Sequence, residues 1–266
     1  MKYSFMSFSC PELGIDEILS AAKRYDYDGV ELRTAANHKH GLELDADANM
    51  RHEIKQKIAD SGITLCCVAT SCKYADPETT ERQVDETLRY IDLAKDVGAA
   101  RIRVFGGAIP EGTSREKAIS LLTTSMQSVA DHAAQRGITV CVETHDHWCD
   151  PAHIAEVMKR VNHPAIGVNW DIMHPVRVAG STIDDAFNTL KPWIRHVHLH
   201  DGVTENGKSV LKPIGQGIVN HKRAVELLKS IQYDGFLSGE WIEWEPYDVH
   251  LPRELATMKR FEQETA

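Results

Sequence analysis

Short runs rich in β-branched residues alternate along this chain with longer stretches whose apolar positions recur at helical spacing. A pattern that switches between the two-residue period of a strand and the 3.6-residue period of a helix predicts repeated strand–helix units and a parallel sheet. The expected strands are Tyr3–Ser9, Gly29–Arg33, Thr64–Thr70, Ala100–Phe105, Thr139–Thr144, Ile166–Asp171, Ile194–His200 and Phe236–Ile242. The expected helices are Ile15–Arg24, Met50–Asp60, Glu78–Val97, Ser114–Gln135, Pro151–Val161, Thr182–Leu190, His221–Ile231 and Pro252–Glu262. Local punctuation agrees with that division. Gly62, Gly98 and Gly137 stand where glycines end helices, Asp150-Pro151 reads as an N-cap followed by proline, and Thr113–Glu116 resembles a capping box.

Eight such units, with no linker, low-complexity tract or domain break, are expected to close into a (β/α)8 TIM barrel. This is an α/β fold with residues 1–266 as one domain, close to the roughly 250 residues of a minimal barrel. Functional side chains then belong at the C-terminal ends of the strands.

Composition mainly excludes. Hydrophobic residues at 42% and charged residues at 26% supply an ample core and argue against disorder. Thirty Lys and Arg against thirty-nine Asp and Glu give a net charge of −9, which repels a phosphate backbone, so no nucleic-acid partner is expected. No run approaches the roughly 18 apolar residues of a membrane span, and MKYSFMSFSC has no signal-peptide core. The chain is read as cytoplasmic, with no membrane partner. Six cysteines without C-x-x-C spacing are read as small buried residues, with Cys149 set apart by its position near the candidate site.

The strand ends are unusually polar: Glu31, Arg33, Ser71, Arg103, Glu143, His145, Asp171, His174, His198, His200, Asp201 and Glu240. Glu143 in CVETHD, Asp171 in VNWDIMH, His198 in RHVHLHD and Glu240 in LSGEWIEW each place an ionisable group in an otherwise apolar strand, and should point into one bowl. Three carboxylates and an imidazole would repel one another there unless a divalent cation neutralised them. One divalent metal ion is therefore expected on these four residues, with Mn2+ ranked first and Mg2+, Co2+ or Zn2+ left open. The competing reading is a set of structural ion pairs with Arg103, Arg195 and Lys212. For His145, substrate contact and orientation of a ligand are both open; for Arg103 and Glu31, substrate contact and a mutual salt bridge are both open. Trp241 is expected to wall the pocket, and His200 and Asp201 to follow the strand outward. His38, His40, His52, His132, His163, His221 and His250 are expected on solvated faces. Lys208, Lys212 and the Gly215–Gly217 backbone offer either a phosphate site or a lid.

Glu143, Asp171 with His174, His196-Val197-His198, Gly215-Gln216-Gly217 and Glu240, in this order at successive strand ends, resemble the motifs of the xylose isomerase-like TIM barrels. That family includes ketose 3-epimerases, hydroxypyruvate isomerase, inosose dehydratase, 3-dehydroshikimate dehydratase and, more distantly, endonuclease IV. The resemblance implies the same four metal ligands, Glu143 and Glu240 as catalytic acid and base on opposite faces of the substrate, and His174 touching it. It also implies a homo-oligomer, in which Trp148-Cys149 and Trp244–Tyr247 could cap a neighbouring bowl.

The departures are informative. Thr70-Ser71, Phe105-Gly106 and Lys212-Pro213-Ile214 replace the extra metal ligands of endonuclease IV, and Cys149 stands where the ketose 3-epimerases carry a further glutamate. Glu-Thr-His at 143–145 and Glu-Trp at 240–241 are similar to the dehydroshikimate dehydratase branch. The leading expectation is a metal-dependent isomerase or epimerase of a small sugar or polyol-derived carbonyl compound. The alternative is a dehydratase of a 3-dehydroshikimate-, inosose- or 3-keto-sugar-like substrate. A nonenzymatic sugar-binding barrel is opposed by the intact ligand set.

Overall fold

The computed structural model describes residues 1–265; Ala266, the last residue of the expected domain, lies outside the described residues. The first strands and helices are β1 (Lys2–Met6), α1 (Ile15–Arg24), β2 (Gly29–Arg33), α2 (Ala48–Ser61), β3 (Thr64–Lys73), α3 (Thr80–Val97), β4 (Arg101–Phe105) and α4 (Arg115–Arg136). They are followed by β5 (Thr139–Glu143), α5 (Pro151–Val161), β6 (Ile166–Asp171), α6 (Met173–Ala179), α7 (Ile183–Leu190) and β7 (Ile194–Leu199). The chain ends with β8 (Asp201–Glu205), β9 (Lys208–Lys212), α8 (His221–Ser230), β10 (Phe236–Gly239) and α9 (Tyr247–Glu264). Eight parallel strands close in the order β1-β10-β7-β6-β5-β4-β3-β2, which is the expected (β/α)8 barrel.

Each barrel strand is buried on both faces, so it reads as a near-continuous apolar run, while the helices expose one side. Gly62, Gly98 and Gly137 end α2, α3 and α4 as expected, and Asp150 caps α5 through its side chain. Among the described residues, no helix is long and apolar enough to cross a membrane.

Several boundaries differ for identifiable reasons. β1 stops at Met6 because Ser7–Ser9 coil into a 3-10 turn. β10 stops at Gly239, where the Trp241 ring folds back so closely that a Cβ on Gly239 would lie 2.0 Å from it. The helix expected from Pro252 starts at Tyr247, because Val249 and His250 donate to the Pro246 carbonyl and form a turn ahead of the proline. Ser114 rather than Thr113 caps α4, accepting from the Lys117 amide, so no capping box forms there. The short helix α6 and the β8–β9 hairpin were not expected.

Four of the histidines assigned to solvated faces are buried: His38, His40, His221 and His250. Each has polar partners to replace water: Ser7 for His38 and His40, the Val219 and His200 carbonyls for His221, and the Glu245 carbonyl for His250. All six cysteines are free and buried. Trp148 and Cys149 are also corrected as capping residues. Trp148 is fully buried with its indole donating to the Gly107 carbonyl at 2.8 Å, so this segment packs inside its own chain.

Candidate active site

Glu143 ends β5, Asp171 ends β6, His198 sits near the end of β7 and Glu240 follows β10 directly. Barrel register does the gathering: Asp171 pairs with His198, His198 with Ser238, and Glu143 with Asn169. One ligand-type atom from each of Glu143, Asp171, His198 and Glu240 lies within 4.8 Å of the others, so residues 97 positions apart in sequence share one buried cluster.

His198 is its centre. Its Nδ1 lies 2.9 Å from Glu143 Oε1 and 3.3 Å from Glu240 Oε2. Arg103 serves both glutamates from the other side, Nε at 3.1 Å from Glu143 Oε2 and Nη2 at 3.9 Å from Glu240 Oε1, while Nη1 donates to the Thr70 carbonyl. No Arg103–Glu31 salt bridge forms. Arg195 bonds carbonyls and Lys212 pairs with Glu205, so of the competing ion pairs only those of Arg103 exist.

The electrostatics set carboxylates around a buried imidazole. Desolvation acts against charge on His198, yet Glu31, Glu143 and Glu240 hold its imidazole well above the ordinary histidine range. Burial also acts to raise the Glu240 carboxyl, but His198, with Arg103 and His200 behind it, brings it down to about 2. Carboxylates that hold a proton on a buried imidazole favour a divalent ion in its place. Asp171 Oδ1 accepts from the Met173 and His174 amides at 2.9 Å, whereas Oδ2 lies 2.9 Å from His200 Nε2 without hydrogen-bond alignment. Glu143 Oε2 is similarly unaligned. Buried carboxylate oxygens without aligned donors, in a cluster whose ligand-type atoms lie within 4.8 Å of one another, fit a hard divalent cation.

Glu31 takes a different place from the one expected of a substrate contact. It is fully buried, accepts from His196 Nε2 at 2.9 Å and lies 3.2 Å from His198 Nε2, away from the two glutamates. Burial would raise its carboxyl, but the two imidazoles hold it well below the usual carboxylate range.

Three histidines line up beside the cluster. His145 and His174 have ring centroids 4.6 Å apart, and His174 and His200 5.3 Å apart. Burial opposes a charge on His145, but the Asp146 carboxylate at 3.0 Å, with Glu143 and Glu240, moves it up to about 9. His174 Nδ1 lies 3.6 Å from Asp171 and has no hydrogen-bond partner. His200 was expected to lead outward; it is buried against Asp171. The alternation of His196, His198 and His200 on one strand face was the signal that could have placed it.

Asp201 is also inside. Its Oδ1 accepts from the Gly202 and Val219 amides and its Oδ2 from the Gly215 and Gly217 amides, all at 2.9–3.1 Å. Gly215 has a φ of +87°, and a Cβ on Gly217 would lie 2.1 Å from Asp201 Oδ1. The G-x-G segment therefore wraps an internal carboxylate, which corrects its reading as a phosphate site.

Trp241 is buried at the rim, its ring 5.1 Å from His250, and borders a cleft of about 630 Å³ formed by the loops after β1, β2 and β10.

A family model described as xylose isomerase-like TIM barrel matches residues 19–260. The chain is 22% identical to the 3-dehydroshikimate dehydratase of Bacillus anthracis, over 94% of each chain. Among solved structures, an L-ribulose 3-epimerase is similar with a TM-score of 0.81 at 15% identity, covering 99% of this chain and 95% of that one. The IOLI protein, solved with a zinc atom, has a TM-score of 0.80 at 17% identity, covering 100% and 98%. These structural likenesses concern the fold.

Proposed function

The chain belongs to the xylose isomerase-like TIM barrel family, and on that premise we propose that it is a divalent-metal-dependent isomerase or epimerase of a sugar-like carbonyl compound. The observation that carries this reading is that Glu143 and Glu240 both approach one imidazole nitrogen, at 2.9 and 3.3 Å, and both face the same guanidinium. Two carboxylates converging on one point give two proton-transfer groups for one substrate carbon or two neighbouring ones.

Glu143, Asp171, His198 Nδ1 and Glu240 would hold the ion, with Mn2+ first in rank. When bound, the ion supplies Lewis acidity that stabilises negative charge on the substrate's carbonyl oxygen. One glutamate accepts the proton from the carbon next to the carbonyl, and the other group, protonated, returns a proton to the opposite face or to the neighbouring carbon. Arg103 offsets the paired negative charge and lets the two carboxylates stay close together. His174 and His145 would donate to substrate hydroxyls, and Trp241 would wall the pocket.

A dehydratase is the second reading. It is favoured by the similarity to the 3-dehydroshikimate dehydratase along nearly the full length of both chains. Incubation of Mn2+-loaded protein with ketoses, 3-keto sugars, inososes and dehydroshikimate in D2O separates the two. Deuterium beside the carbonyl without loss of water supports the isomerase, loss of water supports the dehydratase, and the absence of both across the panel rejects each.

A further inference from the structure

The cleft at the rim is larger than a space for water. Its volume of about 630 Å³ falls within the roughly 300–1,000 Å³ of small-molecule sites. Two of its lining residues lead toward the bowl: Trp241 directly follows Glu240 in sequence, and the Phe8 ring lies 5.6 Å from the guanidinium of Arg33, the last residue of the strand that carries Glu31.

Its lining combines aromatic walls with unmatched polar atoms. Phe8, Trp241, Trp244 and Tyr247 supply the rings, which suit the C–H faces of a sugar. Ser9 Oγ, Trp241 Nε1 and His250 Nε2 lack any hydrogen-bond partner, although these three residues are 8%, 1% and 1% exposed. His250 Nδ1 lies 2.9 Å from the Glu245 carbonyl, to which it donates, so Nε2 is left as an acceptor. Burial keeps this imidazole below the ordinary histidine range and hence neutral near pH 7. The indole can only donate, and the serine hydroxyl does either. A donor, an acceptor and a hydroxyl beside aromatic faces complement a ring that bears adjacent hydroxyl groups. Buried polar atoms left unmatched are costly in the free protein, so a ligand that draws them to the cleft wall by a small side-chain shift gains by pairing them.

Charge selects within that class. No lysine or arginine lines the cleft among the described residues, the exposed Glu12 and Glu243 are part of its lining, and Glu245 is neutralised by Arg253 at 2.6 Å. An anionic ring is therefore disfavoured. The G-x-G amides that would otherwise take a phosphate already hold Asp201.

We propose that this cleft binds a second, neutral glycosyl ring, so that the substrate of the barrel is a glycoside or disaccharide-like compound rather than a phosphorylated sugar. The link to turnover rests on the proton-transfer reading above; binding in the cleft does not.

The test is saturation-transfer NMR on the full chain stripped of metal with EDTA, with maltose, cellobiose and glucose 6-phosphate as probes. Saturation should reach the protons of one ring of at least one neutral disaccharide and should not reach glucose 6-phosphate. Trp244→Ala should weaken that binding by roughly tenfold, the size of a stacking contact. Trp244→Phe should restore most of it, and Ser9→Ala should weaken it by about fivefold. Absence of transfer to both disaccharides, equal transfer to glucose 6-phosphate, or unchanged affinity in folded Trp244→Ala and Ser9→Ala overturns the assignment. Because no metal and no turnover enter this measurement, its failure is distinct from failure of deuterium exchange in the bowl.

Discussion

Glu31 sits against the far ring nitrogen of His198, with both carboxylate oxygens 3.2 Å from Nε2. Nε2–H thereby donates to the Glu31 carboxylate, and Nδ1 is the nitrogen turned toward Glu143 and Glu240. A carboxylate in that position fixes the tautomer and raises the basicity of a ligand. Glu31→Gln, which keeps the shape but loses the charge, is expected to weaken Mn2+ binding by roughly 10–100-fold. Calorimetry on metal-free protein measures this, and an affinity equal to that of the unchanged chain would remove Glu31 from the metal's support.

The contrast between Glu31 and Glu240 shows what was legible in the sequence. Glu240, like Glu143, Asp171 and His198, is an ionisable residue at the end of an apolar strand, so its direction follows from the barrel alone. Glu31 has the same sequence signature, but its role depends on touching His196 and His198, 165 and 167 residues away. Such a contact follows from side-chain direction and barrel closure, which no local pattern carries. The Asp201 contacts were hidden for the same reason. The G-x-G glycines announced a tight backbone, and the structure alone says what it wraps. The rim cleft is built from three loops, where periodicity gives no signal at all.

The two glutamates are separable from a purely structural role by replacement with glutamine. At saturating Mn2+, with occupancy measured in parallel, Glu143→Gln and Glu240→Gln are each expected to lower turnover by roughly 10²–10⁴-fold. In an epimerase each variant loses deuterium exchange on one face of the carbon, whereas in a dehydratase only one variant loses it. Near-normal turnover in both metal-loaded variants would move the search for a base to His145 or His174.

Acid sensitivity should arise away from the metal, at His40. This imidazole is buried, its Nδ1 accepts from the Leu42 amide at 3.1 Å, and Nε2 faces Ser7 Oγ at 3.4 Å. Burial, aided by His38, brings its pKa from 6.5 to about 4. Between those two values the unfolded chain binds more protons than the folded one, so stability is fully present above pH 6.5 and falls as the pH drops toward 4. The full loss is on the order of 3 kcal/mol. His40→Gln should be less stable at pH 7 but should show a flatter decline in melting temperature over this window. A decline of the same steepness in the variant would assign the acid limb to other groups.

Asp201 offers the sharpest test of the loop between β9 and α8. Its two oxygens accept four backbone amides, from Gly202, Val219, Gly215 and Gly217, and the residue is fully buried. Asp201→Ala leaves those donors facing a space too dry to satisfy them. Hydrogen bonds to a charged acceptor contribute roughly 1.5–3 kcal/mol each, and relaxation of the loop recovers part of the loss, so a destabilisation of at least about 3 kcal/mol is expected. Asp201→Asn retains one oxygen but turns an N–H toward two other N–H groups, so it too should destabilise, which separates a demand for the acceptor pair from a demand for volume. Chemical denaturation measures both. Because the Asp201 carboxylate reaches these amides rather than the four-residue cluster, the surviving folded variant should still bind Mn2+ through Glu143, Asp171, His198 and Glu240. Asp201→Ala with unchanged denaturation midpoint would show that water replaces the carboxylate, and would return the G-x-G amides to the pool of groups free to meet a ligand.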